Sequence, residues 1–136
     1  MKRLHVVEAG RFTAFSILQD LPAAELEELS GVMTERDVEP ETEVVTLDDY
    51  GTAIYFIEEG DAEVRSGDGG PSRTLARGDM FGEIGLLLTG ERTATVVART
   101  PMRLLSLAGQ DFDRIRDRVP ELERRLRALG VERAAR

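Results

Sequence analysis

The sequence contains no cysteine and only one histidine, His5, and these absences exclude several kinds of chemistry. Without cysteine the chain has no disulfide, no thiolate nucleophile and no sulfur ligand for a metal. One histidine without cysteine cannot build the usual zinc, iron or copper sites, and histidine-dependent catalytic triads are excluded for the same reason. The sequence therefore predicts neither a metal cofactor nor catalytic residues, and we expect a protein that is not an enzyme.

Long apolar runs are also missing. No uninterrupted apolar stretch approaches the roughly 18 to 20 residues that span a bilayer, and the first residues, MKRLHVVEAGRF, lack the apolar segment of a signal peptide. We therefore expect a cytoplasmic protein with no membrane partner. A length of 136 residues is enough to bury a core without disulfides or metal, and it predicts a single domain over residues 1–136.

The charge balance is acidic, because 18 basic and 26 acidic residues give a formal charge of −8. Such an average field repels a polyanion such as DNA. The C-terminal part is rich in arginine, but its arginines are interleaved with aspartate and glutamate, which favours a solvated helix surface with ion pairs. We therefore predict no direct contact with nucleic acid. The arginines concerned are Arg114, Arg116, Arg118, Arg124, Arg125, Arg127, Arg133 and Arg136.

Apolar residues recur at three- and four-residue spacings over about 12–34, which predicts helices in this part of the chain. Pro22 suits a first helical turn, and Glu25 falls early in the second of these helices, where an acid complements the helix dipole. From about 38 to 108 the pattern changes to short runs rich in β-branched and aromatic residues, each ended by turn residues at intervals of roughly ten. Regular short strands of this kind predict a sandwich or barrel.

The helical pattern returns at about 110–129. Gln110 or Asp111 is placed to cap a first helix, Pro120 opens a second one, and Gly130 is a good C-terminal stop. The predicted fold class is therefore α+β and mainly β. It consists of an antiparallel β-barrel of the jelly-roll type, flanked by N-terminal helices and by two C-terminal helices.

Residues 78–96, GDMFGEIGLLLTGERTATV, place glycines, an acid and an arginine around a short apolar run. The run predicts a short helix over about 82–88, and a helix N-terminus with glycines presents free backbone N–H groups to an anion. Arg92 and Thr93 add a guanidinium and a hydroxyl for a phosphate. Glu83 would repel a phosphate but can accept hydrogen bonds from a ribose hydroxyl. The pattern favours a nucleotide, although an isolated pair of Arg92 and Glu83 is also typical of a salt bridge on a barrel rim.

These residues resemble the phosphate-binding cassette of the cyclic nucleotide-binding domain family, which includes the catabolite activator, the regulatory subunits of protein kinase A and nucleotide-gated channels. GDMFGEIGLLLTGERTATVVA, residues 78–98, is similar to the family pattern G-D-x-F-G-E-I/L-A/G-L-L followed by R-T/S/A-A-T/S-V-x-A. Upstream, GTAIYFIEEGDAEV resembles the family's Y-F-I-x-x-G-x-V/A-x-V hairpin. Glu91 stands where many members have proline.

The resemblance implies a role for each matched position. Glu83 is expected to bond the ribose 2′-hydroxyl with help from the backbone of Gly82, and Arg92 to pair with the exocyclic oxygens of the cyclic phosphate. The remaining matched positions are expected to lie near the ligand and to add backbone or hydroxyl contacts. The predicted ligand-binding residues are Gly82, Glu83, Ile84, Arg92, Thr93 and Ala94.

The leading hypothesis is a sensor or regulatory module that binds a cyclic nucleotide, cAMP or cGMP, and signals by moving its C-terminal helices about a hinge around Gly109 and Pro120. Whether Arg125 or Leu129 closes over the base is left open. The signal would pass to an unidentified downstream protein or to a homodimer through the C-terminal helix. The leucines of that helix either form such an interface or pack on the same domain; they are Leu122, Leu126 and Leu129.

Two other classes of protein remain alternatives. A ligand-free scaffold of the same fold would act in protein association or dimerisation, and it would be a dimer indifferent to nucleotide. A small cupin-like barrel enzyme has the right architecture but lacks metal ligands. The sequence does not select between cAMP and cGMP, because Thr93 can either donate to a guanine substituent or contact the phosphate.

Overall fold

The computed structural model describes residues 7–45, 53–66, 71–82 and 94–134. The strands in these ranges form two antiparallel four-stranded sheets, and helical segments precede and follow them. The strands are β1 (Thr34–Val38), β2 (Glu43–Val45), β3 (Ala53–Glu59), β4 (Ala62–Ser66), β5 (Arg73–Leu75), β6 (Met80–Phe81), β7 (Ala94–Ala98) and β8 (Met102–Ala108). The first sheet has the order β1-β8-β3-β6, and the second sheet has the order β2-β7-β4-β5.

Helical segments lie before β1 and after β8. Before the strands are two 3-10 turns, Ala9–Ala14 and Ser16–Leu18, and helix α1, Ala23–Val32. After them come helix α2, Gly109–Ile115, the 3-10 turn Arg116–Arg118 and helix α3, Pro120–Ala134. Within the described ranges, no helix is both long and apolar enough to cross a bilayer.

The N-terminal region differs from the helices predicted over about 12–34. Phe15 is extended, with φ −110° and ψ 113°, and Asp20 has a φ of 61°, so the chain winds in short 3-10 turns before α1 begins. Pro22 is the N-cap of α1 and does not lie in its first turn. The helix ends at Val32, and residues that the spacing placed in the helix or just after it form β1 instead.

Two apolar clusters account for the alternating pattern of the strands. On β3, Ile54 and Phe56 pack with the helices, whereas Ile57 packs between the two sheets. Successive side chains of a strand point to opposite faces, so β3 contributes to both clusters. The first sheet is therefore covered by helices on one face and by the second sheet on the other.

The predicted jelly-roll barrel is not closed among the described residues, whose strands form two separate ladders. At one edge of the first sheet lies β1, TERDV, in which the first four residues are exposed. Charged side chains on an edge strand disfavour pairing with a further strand. The fold is accordingly two packed antiparallel sheets with helices.

The turn between β3 and β4 carries the chain from one sheet to the other. Gly60 has a φ of 99°, and a Cβ built on it would lie 2.5 Å from the carbonyl oxygen of Pro101. Beside it, the backbone N–H of Asp61 donates to the hydroxyl of Thr100 over 2.9 Å. A side chain at position 60 would therefore meet both backbone strain and a steric clash.

The C-terminal helices also differ in detail from the prediction. The N-cap of α2 is Ala108, so neither Gln110 nor Asp111 has that role. Helix α3 continues through Gly130 to Ala134, so Gly130 is not a stop. Gly130 is buried, which indicates that it lies in the packed face of the helix.

The leucines of α3 pack on the domain to which they belong. Leu122 and Leu126 are fully buried in the cluster between the helices and the first sheet, and Leu129 is partly buried against it. In this arrangement the three leucines already pack against other residues of the same chain. A homodimer through α3 remains a prediction, and it would need a different surface or a displaced helix.

Candidate functional site

Gly82 and Ala94 are the two predicted site residues that the structure describes. Gly82 follows β6 at the edge of the first sheet and has a φ of 102°. Ala94 begins β7 in the second sheet, opposite Ser66 of β4, and packs partly against the cluster between the sheets. The motif, residues 82–94, thus begins directly after a strand of the first sheet and ends in a strand of the second.

The other predicted ligand residues lie outside the described residues, together with Glu91 and with the predicted short helix beyond Gly82. Their roles stay predictions. They are Glu83, Ile84, Arg92 and Thr93.

The backbone leading into the motif is fixed to β3 by a turn over residues 76–79. The N–H of Gly78 donates to the carbonyl of Ile57 over 2.9 Å, and the N–H of Ile57 donates to the carbonyl of Asp79 over 2.8 Å. The carboxylate of Asp79 accepts from the N–H of Ala76 over 2.8 Å. These bonds set the position from which β6 and then Gly82 begin.

A groove of about 410 Å³ lies between this turn, the second 3-10 turn and one face of α3. Its wall is partly basic, because three arginines from α3 meet one acid from the turn and one from the helix. The lining residues are Ser16, Ile17, Gly78, Asp79, Met80, Arg124, Arg125, Ala128, Leu129, Glu132 and Arg133. The groove brings the end of α3 beside the start of the motif.

Arg133, near the end of α3, is bonded to the strand that precedes the motif. Its Nη1 donates to the carbonyl oxygen of Met80 over 2.8 Å. Met80 lies two residues before Gly82, so the two positions share a short piece of backbone. This charge-assisted hydrogen bond links the end of α3 to the strand that leads into Gly82.

Arg125 fastens the middle of α3 to the second 3-10 turn. Its Nη1 donates to the carbonyl oxygens of Ile17, over 3.1 Å, and Gln19, over 2.6 Å. Its Nε donates to the carboxylate of Glu121 over 2.8 Å. The guanidinium is thus committed to three acceptors, two of which lie outside the helix.

Glu25 of α1 holds the beginning of α3, and sequence analysis missed this function. Its side chain is buried, and its carboxylate accepts from the backbone N–H of Leu122 over 2.9 Å and of Glu121 over 3.1 Å. The spacing predicts a complement to its own helix dipole. The sequence did contain a signal, because Glu25 lies four residues before Leu29 and so on the same face of the helix as an apolar residue. In the structure Leu29 is fully buried on that face.

Glu121, in the first turn of α3, is half-buried, and its environment favours its ionised form. Hydrogen bonds from Arg124 and then Arg125 lower the pKa of Glu121 from 4.5 to about 2. In the parts of the chain that the structure describes, no three His, Cys, Asp or Glu side chains converge to hold a metal. Among the described residues, arginine and carboxylate side chains therefore serve to dock α3 on the rest of the chain.

Comparison with known proteins identifies the kind of domain that this geometry belongs to. Residues 35–119 match the family model described as the cyclic nucleotide-binding domain. Among curated proteins, the cAMP-dependent protein kinase regulatory subunit of Yarrowia lipolytica is 41% identical over 100 residues, which are 73% of this chain and 27% of that protein. The chain spans about a third or less of the length of the first curated relatives that it matches.

Solved structures have the same architecture. The catabolite activator protein of Thermus thermophilus has a TM-score of 0.74 and 30% identity, over 88% of this chain and 58% of that one. A structure described as concerning a cyclic-GMP-dependent signalling pathway in bacterial phytopathogenesis has a TM-score of 0.71 and 25% identity, over 85% of this chain and 94% of that one. Both likenesses extend over most of the present chain.

Proposed function

Since the chain belongs to the cyclic nucleotide-binding domain family, we propose that it binds cAMP through residues 82–94 and reports binding by a change in the docking of α3. The observation that carries the binding function is the family match over residues 35–119, which contains the whole motif. The motif is anchored at Gly82 in one sheet and at Ala94 in the other. A ligand bound between these two residues would contact backbone that is connected to both sheets.

The ligand contacts follow from the residue types of the motif. Glu83 accepts hydrogen bonds from the ribose 2′-hydroxyl, and Arg92 pairs with the phosphate oxygens. Gly82 has no side chain and a positive φ that favours glycine, so its backbone can approach the sugar closely. Ile84, Thr93 and Ala94 complete the site with backbone and hydroxyl contacts.

We propose cAMP ahead of cGMP. The Yarrowia lipolytica relative is named as cAMP-dependent and is 41% identical. The solved structure connected with cyclic GMP is 25% identical, which is weaker support. Both nucleotides belong in the binding experiment, because the described residues contain no contact that selects the base.

The route of the signal runs through α3. Arg133 joins the end of this helix to the carbonyl of Met80, two residues before the motif. A nucleotide that favours one position of Gly82 therefore favours one position of Arg133, and the equilibrium of α3 shifts by the difference in affinity between the two positions. The hinge is the chain around Gly109 and Pro120, at the starts of α2 and α3.

Leu129 is the better of the two candidates for covering the base. Arg125 donates to Ile17, Gln19 and Glu121, and leaving these acceptors to reach a base would break three bonds. Leu129 lines the groove and is only partly buried, so it keeps an apolar surface for a ring. Expressed as free energies, the loss of nucleotide affinity in Leu129→Ala should be larger than the loss of stability.

Isothermal titration calorimetry of the whole chain with cAMP and cGMP tests the binding function. We expect saturable binding of cAMP by the wild type, and its loss in Arg92→Ala at a nearly unchanged melting temperature. Arg36→Ala is the matched control, since it removes an exposed arginine from β1 at the opposite edge of the first sheet. Absence of heat with both nucleotides, on folded wild-type protein, would refute the proposal and favour the ligand-free scaffold.

Catalytic inactivity, a cytoplasmic location, a single-domain organisation and an unidentified protein partner remain predictions. An activity screen tests catalytic inactivity, and localisation of the expressed protein tests the cytoplasmic location. Limited proteolysis tests the single-domain organisation, and affinity capture with and without cAMP tests for a protein partner. A partner that is retained only in one nucleotide state would support the regulatory function. A dimer whose mass does not respond to nucleotide would support the scaffold instead.

A further inference from the structure

Helix α3 begins without a capping side chain of its own. Pro120, its first residue, has no backbone N–H, and the N–H of Glu123 already donates to the carbonyl of Val119 over 3.0 Å. The N–H groups of Glu121 and Leu122 are left, and the preceding residue, Val119, offers no side-chain acceptor. A helix start of this kind is destabilised unless another part of the molecule supplies an acceptor.

One carboxylate from α1 supplies both acceptors. The two oxygens of Glu25 accept one bond each, from Leu122 over 2.9 Å and from Glu121 over 3.1 Å. Glu25 is only 5% exposed, so the bonds are largely shielded from water. The negative charge also lies at the positive end of the α3 dipole, which strengthens the contact. The first turn of α3 therefore depends on a residue almost a hundred positions earlier in the chain.

We propose that Glu25 is a positioning residue for the nucleotide site, because it fixes the first turn of α3 on α1 and so sets where the far end of the helix meets the motif. The proposal rests on the function proposed above. Glu25 need not touch the ligand. It acts through α3, which also contacts the second 3-10 turn through Arg125 and the carbonyl of Met80 through Arg133.

The geometry of a helix shows how strongly the fixed end controls the free one. Arg133 lies twelve residues after Glu121, about 18 Å along the helix axis at ~1.5 Å per residue. A tilt of about 10° at the first turn would move Arg133 by about 3 Å. The bond from Arg133 to Met80, 2.8 Å long, would not survive that movement. A small change in the orientation of the first turn therefore becomes a large displacement of the helix end beside the motif.

The test compares Glu25→Ala and Glu25→Gln with a control on the same helix, Glu28→Ala. Glu28 is one turn nearer the centre of α1, and its carboxylate pairs with exposed Arg118 over 3.0 Å. Backbone amide exchange is measured over residues 123–134, with the amides of β8 as an internal reference for global opening. Affinity for cAMP is measured on the same full-length proteins by calorimetry.

In Glu25→Ala we expect amide exchange over residues 123–134 to be roughly three- to thirty-fold faster, the range typical of a lost helix cap. Glu25→Gln should be intermediate, because its amide keeps one acceptor oxygen but turns a donor toward the other N–H. Affinity for cAMP should fall in the same order. The fall should be smaller in an Arg133→Ala background, since the two residues act through one helix.

Three results would overturn the inference: exchange in α3 that equals the Glu28→Ala control, exchange that rises no more than in β8, or faster α3 exchange with unchanged cAMP affinity. The second result would mean that Glu25 has a purely structural role. Failure of the proposed function looks different, because the wild type would then bind neither nucleotide. In that case the exchange measurement alone decides whether Glu25 positions α3.

Discussion

Replacing Arg125 by methionine should loosen α3 and lower the stability of the domain. Methionine keeps the apolar stem of arginine but removes the donors to Ile17 and Gln19, which are 3.1 and 2.6 Å from Nη1. Hydrogen bonds from a charged group contribute roughly 1.5–3 kcal/mol when buried, and these two are only partly shielded, so we expect a loss of about 1–2 kcal/mol in total.

That free energy corresponds to a measurable change in melting temperature. At about 2.1 cal/mol/K per residue, the unfolding entropy of 136 residues is about 0.29 kcal/mol/K. A loss of about 1–2 kcal/mol therefore lowers the melting temperature by about 3–7 °C. Differential scanning calorimetry at neutral pH measures this shift directly.

Arg124→Met is the matched control for Arg125→Met. Arg124 is the neighbouring arginine and bonds the same acid, Glu121, over 3.0 and 2.6 Å, but both of these bonds lie within α3 at the surface. Exposed ion pairs contribute less than partly shielded hydrogen bonds to backbone carbonyls, so Arg124→Met should lower the melting temperature by clearly less than Arg125→Met does. Equal shifts in the two variants would refute the view that Arg125 stabilises the docking of α3 through the second 3-10 turn.

Three further outcomes follow from the structure. Gly60→Ala should destabilise the fold by about 3 kcal/mol or more, because of its positive φ and the close carbonyl of Pro101. Gly31→Ala, in an exposed helical position with open space around it, should stabilise by about 0.5–1 kcal/mol; urea unfolding measures both, and equal effects would contradict the interpretation. The depressed pKa of Glu121, about 2, means that its stabilising contribution is complete above its ordinary pKa of 4.5 and is lost as the pH falls through about 2. A carboxyl NMR titration should show that midpoint in the wild type and a higher one in Arg124→Met, whereas an unchanged midpoint would exclude Arg124 as the main cause.

The strands of the fold could be predicted from the sequence where their apolar residues alternate. In β3, Ile54 and Phe56 alternate with residues that face the second sheet, and the structure has a strand over Ala53–Glu59. The family was predicted from residues 78–98, and the comparison confirms it. Local periodicity suffices where one face of an element is buried.

Elsewhere local patterns were not sufficient. Strand β1, TERDV, has one buried residue and lies at a sheet edge, so it shows no apolar alternation. Gly130 is typical of a helix end, yet it is buried within α3, where packing outweighs the propensity of one residue. Propensity and spacing describe a segment, whereas burial depends on what the rest of the chain places against it.

The candidate site divides in the same way. Glu83 and Arg92 belong to a contiguous motif, so roles could be predicted for them from sequence, and these roles stay predictions. The contacts of Glu25 and Arg133 join positions far apart in the chain, at Leu122 and Met80 respectively, and no spacing predicts them. Of the two, the bond from Arg133 to Met80 links α3 to the strand that leads into the motif, and the bonds of Glu25 hold the start of α3 on α1.

The most direct test of that connection is amide exchange of the wild-type chain with and without saturating cAMP. The proposed function predicts slower exchange in two places, the motif at residues 82–94 and helix α3 at residues 120–134, because Arg133 bonds to Met80 just before the motif. Slower exchange in the motif with no change in α3 would contradict the proposed signalling route, and no change in either would contradict nucleotide binding itself.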